Sequence, residues 1–346
     1  MVRASLSRPD MNIVMLPDAT EAEVAEVVER FRSRGAEVSV SNLDGRIVVS
    51  ASVEARLEHD APWESFPGVD RVVSTVPGGR LVGRAHRSDD SVVSVGRVTI
   101  GAGAPTVIAG PCAAEGREQL LTVARAVRDA GAQILRGDAF KPRTSPYSFQ
   151  GLGKLGLEIL SEARDETGLP FVAEVLDPRE VDLVASYADM VRIGTRNMSN
   201  HALLREVGRQ PKPVLLKRGR AATVAEWVDA AEYVYREGNT NIVLVERGVR
   251  SFDDAVRNML DLAAVPIAKS LTHLPVMVDP SHAAGRSDLV IPLARAAVAV
   301  GADGLLIDVH HDPASALVDG AQALLPEEFA ELMVEVGRVA GALGRV

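Results

Sequence analysis

Residues 214–246 read VLLKRGRAATVAEWVDAAEYVYREGNTNIVLVE. The segment opens on an apolar, β-rich run from Val214 to Lys217. It passes through a helical pattern from Val224 to Arg236 and closes on a second run, Ile242 to Glu246. The same rhythm extends in both directions. Upstream lie Thr106-Val-Ile-Ala109, Gln133-Ile-Leu-Arg136, Pro170-Phe-Val-Ala-Glu174 and Met190-Val-Arg-Ile193; downstream lie Val276-Met-Val-Asp279 and Gly304-Leu-Leu-Ile-Asp308. Each run is followed by a helical period, for example Glu118 to Ala130 and Pro326 to Leu343. Eight such units over about 250 residues predict an α/β fold of the (β/α)8 TIM-barrel type. The alternative is a doubly wound open sheet, but no GxGxxG follows the first run. A hairpin from Val92 to Ile100, turning near Gly96, precedes the barrel pattern.

The first segment has a different character. Met11-Asn-Ile-Val-Met-Leu16 reads as a strand, and Thr20 can cap a helix in which Val24, Val27, Val28 and Phe31 recur at helical spacing, with Gly35 as its stop. Val38 to Val40 and Arg46 to Ser50 are short strands about the turn signal Asn42-Leu-Asp-Gly45. A weaker helical stretch and the strand Arg71-Val-Val-Ser-Thr-Val76 complete a βαββαβ order, that of a small α+β ferredoxin-like domain. Pro77-Gly-Gly79 and the charged stretch Arg84 to Asp90 read as linker. The expected divisions are 11–82 for the small domain, 83–90 for the linker and 91–346 for the barrel.

Composition narrows the function. The chain of 346 residues is 47% hydrophobic and 25% charged, an ordinary globular balance. Its formal net charge of −9 argues against a general nucleic-acid binder. A single cysteine, Cys112, excludes an internal disulfide and any CxxC metal cage. The first ten residues carry no apolar core of signal-peptide length, and the apolar stretch Asp288 to Asp308 is interrupted by Arg295 and Asp303. The expectation is a cytoplasmic protein without a membrane span.

A parallel barrel builds its active site at the C-terminal ends of its strands. In this chain every strand end carries a polar, charged or thiol group. Arg136, Lys141, Arg143, Arg196, Lys217, Arg218 and Arg247 would converge on one mouth of an otherwise acidic protein. Like charges gathered together repel unless an anion lies among them, so the set points to substrates with more than one anionic group. Cys112, His282, Asp308 and Asp319 form a second cluster, a plausible mixed site for Zn²⁺, Fe²⁺ or Mn²⁺. His310 and His311 are further candidates, whereas Met277 reads as core.

These motifs resemble a known family. Gly110-Pro-Cys112, Leu135-Arg136-Gly137 and Phe140-Lys-Pro-Arg-Thr-Ser-Pro-Tyr-Ser-Phe-Gln-Gly151 are similar to the type I-beta class of 3-deoxy-D-arabino-heptulosonate 7-phosphate (DAHP) synthases. So are Ile193-Gly-Thr-Arg-Asn-Met198, Leu215-Leu-Lys-Arg-Gly219, Glu246-Arg-Gly248, Val278-Asp-Pro-Ser-His282 and Gly301-Ala-Asp-Gly304. The likeness runs in order through residues 100 to 340. The small first domain looks like the regulatory domain that some members carry.

The resemblance implies an aldol-like condensation of phosphoenolpyruvate with erythrose 4-phosphate, releasing inorganic phosphate on the way to aromatic amino acids. It implies that Arg136, Arg196, Lys217 and Arg247 bind phosphoenolpyruvate, and that Lys141, Arg143 and Thr144 bind the aldose phosphate. Cys112, His282, Asp308 and Asp319 fall on positions for a divalent metal (Mn, Fe, Zn or Co). Lys217, Cys112 and His282 become the catalytic candidates, with Lys217 moving protons because neighbouring arginines would lower its pKa. A homotetramer and an aromatic amino-acid effector, tyrosine or phenylalanine, are further implications. The chain departs from the family at Asp308, usually Glu, and at Asp138, usually Gly; Ala113 and His311 stand where Ser and Pro are common. A carboxylate at Asp138 is expected to sit near a phosphate-binding strand end and repel substrate. These departures keep two alternatives in view: a paralogue using a different aldehyde, as 3-deoxy-D-manno-octulosonate 8-phosphate synthase does, and a non-catalytic member. The Lys141-Pro-Arg-Thr144 motif favours the DAHP-type acceptor, and the retained cations count against a non-catalytic scaffold.

Overall fold

The computed structural model describes residues 10–43, 46–52, 63–74, 80–84 and 86–345, which divide into two compact units, one up to His86 and one from Arg87. In the first unit, strands β1 (Asp10–Met15), β2 (Glu37–Leu43), β3 (Arg46–Ser52) and β4 (Val69–Ser74) form a sheet of order β2-β3-β1-β4. Helix α1 (Glu21–Arg32) opens on a capping box: the Thr20 side chain accepts from the Glu23 amide, and the Glu23 carboxylate accepts from Thr20 N–H. Val27 and Phe31, one turn apart, are buried against Met11, Ile13 and Met15 from alternate positions of β1. Phe31 also stacks on Trp63 at 4.2 Å between ring centroids. This is the ferredoxin-like arrangement. The weak helical stretch read before Trp63 falls mainly on residues 53–62, outside the described residues. So do Pro77-Gly-Gly79, the Asp44-Gly45 half of the turn and the first nine residues.

The second unit is a closed parallel barrel. Its strands are β7 (Thr106–Gly110), β8 (Ile134–Arg136), β9 (Phe171–Val175), β10 (Met190–Ile193), β11 (Val214–Lys217), β12 (Ile242–Glu246), β13 (Val276–Val278) and β14 (Gly304–Asp308). They are buried on both faces, because side chains fill the barrel and helices cover it, which is why they read as continuous apolar runs. The covering helices are α2 (Arg117–Asp129), α3 (Lys154–Thr167), α4 (Val181–Tyr187), α5 (His201–Gly208), α6 (Val224–Arg236) and α7 (Ala264–Leu271). A short α8 (Pro280–Ala284) then precedes α9 (Val290–Ala299) and α10 (Pro326–Ala342). Ile108, Ile134, Val172, Met190, Leu215, Val243, Met277 and Leu306 pack inside the barrel, so Met277 is core as expected. The hairpin β5 (Val93–Val95) and β6 (Val98–Ile100) inserts Val93, Val95 and Ile100 into that same cluster and closes the end where the strands begin. Only the opposite end is left to carry chemistry.

Candidate active site

At the C-terminal ends of the strands lies a cavity of about 270 Å³. Among the expected residues, Lys141, Arg143, Thr144, Arg196, Lys217, Arg247, His282 and Asp319 line it. Arg136, Cys112 and Asp308 lie buried beside these lining groups. The close approach has a steric basis at Gly110, the last residue of β7. A Cβ there would meet the Arg136 carbonyl oxygen at 2.2 Å, and the backbone φ of 151° suits glycine alone.

The thiol and carboxylates gather around His282. Asp279 caps α8, accepting from the His282 amide at 2.9 Å, and the same carboxylate takes His282 Nδ1 at 3.0 Å. The ring is thereby oriented with Nε2 facing Cys112 Sγ at 3.7 Å and Asp319 Oδ2 at 3.6 Å. A carboxylate on the far nitrogen of a histidine is the usual support of a metal ligand. Cys112 Sγ lies 3.3 Å from Asp319 Oδ2, and donor atoms of Cys112, His282 and Asp308 all fall within 4.8 Å of one another. One Asp308 oxygen is held by Arg136 and the other by Gln322 Nε2 at 2.6 Å. A set of sulfur, imidazole and carboxylate donors fits Zn²⁺, Fe²⁺, Mn²⁺ or Co²⁺ rather than a cation that demands oxygen alone. Burial pushes the Cys112 thiol up to about 12 despite the nearby Lys141, so a binding metal must displace the thiol proton. Burial likewise lowers the His282 pKa and favours the neutral, ligating ring. Burial opposes ionisation of Asp319, yet His282 and Arg257 hold its carboxyl well below the usual carboxylate range.

The cations fall into two groups. Lys217 Nζ is paired with Asp279, Arg136 with Asp308, and Arg192 with both Glu174 (2.7 Å) and Asp138. Burial drives Lys217 down to about 8, with Arg192 and Arg136 adding to the shift and Asp279 resisting it. Arg247 donates to the His282 carbonyl at 3.0 Å, and burial brings its pKa down to about 10. Nearer solvent, Arg196 donates to Thr144 Oγ1 at 3.4 Å and Arg143 to the Phe149 carbonyl at 3.3 Å. Arg220 has its pKa lowered by burial and by the like charges of Arg250, Arg196 and Arg257.

Several sequence expectations change. Arg218 does not join the cavity; it ties Glu246 (2.8 Å) to Asp261 (2.9 Å). Asp138 is not a carboxylate repelling substrate at a solvated mouth. It is fully buried and accepts from Lys141 Nζ at 2.7 Å and from Arg192, with Arg136 3.7 Å away. Lys141 also donates to the Cys112 carbonyl (3.0 Å) and meets its sulfur (3.1 Å), so it points at the thiol side of the cavity. His311 is exposed and stacks on His310, away from the donor group. Residues given no role from sequence are Arg192, Glu174, Asp279, Arg220, Arg257 and Gln322. An arginine inside the apolar run Met190–Ile193 was a signal for the first; the loop residues Arg220 and Arg257 carried none.

Comparison with known proteins agrees with this geometry. The family model described as DAHP synthetase I family matches residues 84–341, and that of the DAHP synthase ferredoxin-like domain matches residues 11–75. A phospho-2-dehydro-3-deoxyheptonate aldolase of Thermotoga maritima is 46% identical over 334 residues, covering 96% of this chain and 99% of the relative. A 2-dehydro-3-deoxyphosphooctonate aldolase of Syntrophotalea carbinolica is 33% identical over 264 residues, 70% of this chain and 94% of the relative. The crystal structure of a Thermotoga maritima DAHP synthase superimposes with a TM-score of 0.89 at 45% identity, covering 97% of this chain and 99% of that one.

Proposed function

The chain belongs to the DAHP synthetase I family and is a carbon–carbon bond-forming transferase, and from that premise we propose that it condenses phosphoenolpyruvate with erythrose 4-phosphate, using a divalent metal ion. The products are 3-deoxy-D-arabino-heptulosonate 7-phosphate and inorganic phosphate, with one water consumed. The observation that carries the reading is the meeting of two groups, an array of cations lining one cavity and a thiol–imidazole–carboxylate donor set that reaches it through His282. Phosphoenolpyruvate brings a carboxylate and a phosphate, which Arg136, Arg196, Lys217 and Arg247 would bind through charge-assisted hydrogen bonds. Arg143 and Thr144, with Lys141 close by, would hold the phosphate of the aldose. Cys112, His282, Asp319 and Asp308 would hold the metal ion, whose chemistry there would be to polarise the aldehyde carbonyl. Lys217, with a pKa near 8, is suited to hold or release a proton at Nζ around neutral pH.

A second reading, another aldehyde acceptor, draws on one feature: Asp138 engages Lys141, which the first reading assigns to the acceptor. Phosphate release with phosphoenolpyruvate and a panel of aldehydes decides between them. Erythrose 4-phosphate is expected to be turned over fastest, and chelation to abolish the reaction. Indifference to erythrose 4-phosphate, with metal and phosphoenolpyruvate bound, would reverse the assignment. We assign the regulatory role to the domain of residues 11–82, joined by 83–90 to the catalytic barrel of 91–346, in a cytoplasmic homotetramer responsive to tyrosine or phenylalanine. Support comes from the separate family match of the small domain. Among the described residues no helix is long and apolar enough to cross a membrane.

A further inference from the structure

We infer that Glu115 is a positioning residue for the metal site: its carboxylate ties the loop carrying Cys112 to the loop carrying Asp319 and so fixes the spacing of thiol and carboxylate. The inference rests on the reading that these two side chains are metal ligands.

Glu115 follows Cys112 by three residues, between β7 and α2. Its amide donates to Gln119 Oε1 at 3.2 Å, and Gln119 Nε2 donates to the Ala113 carbonyl at 3.4 Å. The first turn of α2 therefore braces the loop from within. The Glu115 side chain is 8% exposed, and Oε1 accepts from two successive amides of the loop after the neighbouring strand β14, Leu317 at 3.0 Å and Val318 at 3.2 Å. The next residue is Asp319, whose backbone is left-handed, with φ 54° and ψ 30°. It is the only non-glycine residue with positive φ among the described residues. Such a conformation is strained and persists only where its surroundings impose it. Val318, gripped by Glu115, packs with Cys112 and Ala113 in one buried cluster.

The second carboxylate oxygen faces His310, on the segment leaving β14, with Oε2 3.7 Å from Nε2. His310 Nδ1 accepts from the Asp312 amide at 3.0 Å, which leaves the ring proton on Nε2, aimed at Glu115. One side chain from the Cys112 loop thus grips the end of the segment bearing Asp319 through two amides and faces its start at His310, beyond hydrogen-bond distance. Arg257, at 3.1 Å from Asp319 Oδ1, orients that carboxylate but makes no bond to the backbone that carries it.

The test titrates metal-stripped, full-length protein with Co²⁺ and follows the thiolate-to-cobalt charge-transfer absorption in wild type, Glu115→Ala and Glu115→Gln. Loss of a supporting partner is expected to weaken Co²⁺ binding about 10–100-fold in Glu115→Ala. Glu115→Gln, which keeps an oxygen for both amides, is expected to recover most of the affinity. Phosphoenolpyruvate binding without metal should not move, since Glu115 does not line the cation array. A wild type that binds Co²⁺ with no thiolate band would remove the metal reading itself. A thiolate band in wild type with equal affinity in Glu115→Ala would overturn the positioning role alone. Should Glu115→Ala fail to fold, amide exchange in wild type decides: slow exchange at Leu317 and Val318 upholds the grip, and exchange as fast as in exposed loops overturns it.

Discussion

The floor and the rim of the cavity are built on opposite electrostatic plans. At the floor, Arg136, Lys141, Arg192 and Lys217 are buried, and each has a carboxylate beside it: Asp308, Asp138, Glu174 or Asp279. At the rim, Arg143, Arg196 and Arg220 have no carboxylate within ion-pair distance among the described residues; Arg196 donates to Thr144 and Arg143 to the Phe149 carbonyl. A buried cation is costly without a partner, because its desolvation is large and removing one partner leaves a charge in a poor solvent; Arg247, buried with the Gly248 and His282 carbonyls as its recorded partners, meets that cost with backbone oxygens instead. A rim cation keeps much of its water and needs no partner, so its field is left for an arriving anion. The floor is therefore stable without substrate, while the rim's unbalanced charge is a feature of recognition. Substitutions should separate the two along that line.

The largest effect is expected at Lys217. Lys217→Met keeps the volume and removes the proposed proton carrier, so turnover should fall about 10²–10⁴-fold. Stability against pH gives an independent check. The folded-state pKa of about 8 lies below the ordinary 10.5, so between these values the unfolded chain holds a proton that the folded chain has released. Stability attributable to Lys217 must then rise with pH across that window, on the order of 3 kcal/mol in total. Denaturant titrations at pH 7.5 to 10.5 (roughly the window set by those two values) should show the rise in wild type and its loss in Lys217→Met. Parallel curves would place Lys217 with the solvated rim.

Asp138→Asn tests the floor as a unit. The asparagine can accept a hydrogen bond but leaves Lys141 without its carboxylate and Arg192 with Glu174 alone. Breaking a buried pair from one side costs about 3–5 kcal/mol, to be read from the denaturant midpoint. A cost under about 1 kcal/mol, the range of exposed ion pairs, would erase the distinction between floor and rim.

The sequence made the barrel legible because eight apolar runs alternate with helical periods, and burial on both strand faces keeps polar residues inside a run few, Glu174 and Arg192 among them. It made the identity of the strand-end groups legible as well, but not their direction. Successive side chains on a strand point to opposite faces. Lys217 enters the cavity while its neighbour Arg218 turns outward to Glu246 and Asp261; Arg247 enters while Glu246 turns away. Counting cations at strand ends could not tell these apart. Nor could it pair Asp138 with Arg192, which lie 54 residues apart and meet only because β8, β9 and β10 are neighbours in the closed sheet. The charge of Asp138 looked like repulsion until its partners were in view. Asp319 was legible by motif, whereas the left-handed backbone that presents it was not.

Arg196→Ala should give the smallest change in the molecule and the cleanest separation of function from stability. Its guanidinium lines the cavity with one long bond to Thr144 and, among the described residues, no ion pair, so its loss leaves no buried charge exposed to a poor partner. Folding stability should stay within about 0.5 kcal/mol of wild type, as for most surface substitutions. Binding is another matter. A charge-assisted hydrogen bond to phosphoenolpyruvate is worth about 1.5–3 kcal/mol, which predicts a loss in kcat/KM of roughly 10–100-fold. Because the rim is solvated, part of that attraction is screened by ions, whose Debye length is about 8 Å at physiological strength. Raising the salt should therefore weaken wild type towards the variant and narrow the gap between them. Steady-state kinetics at two ionic strengths, beside a denaturant curve, measure all three quantities. A large loss of stability, or a gap that salt does not alter, would move Arg196 from the rim to the floor.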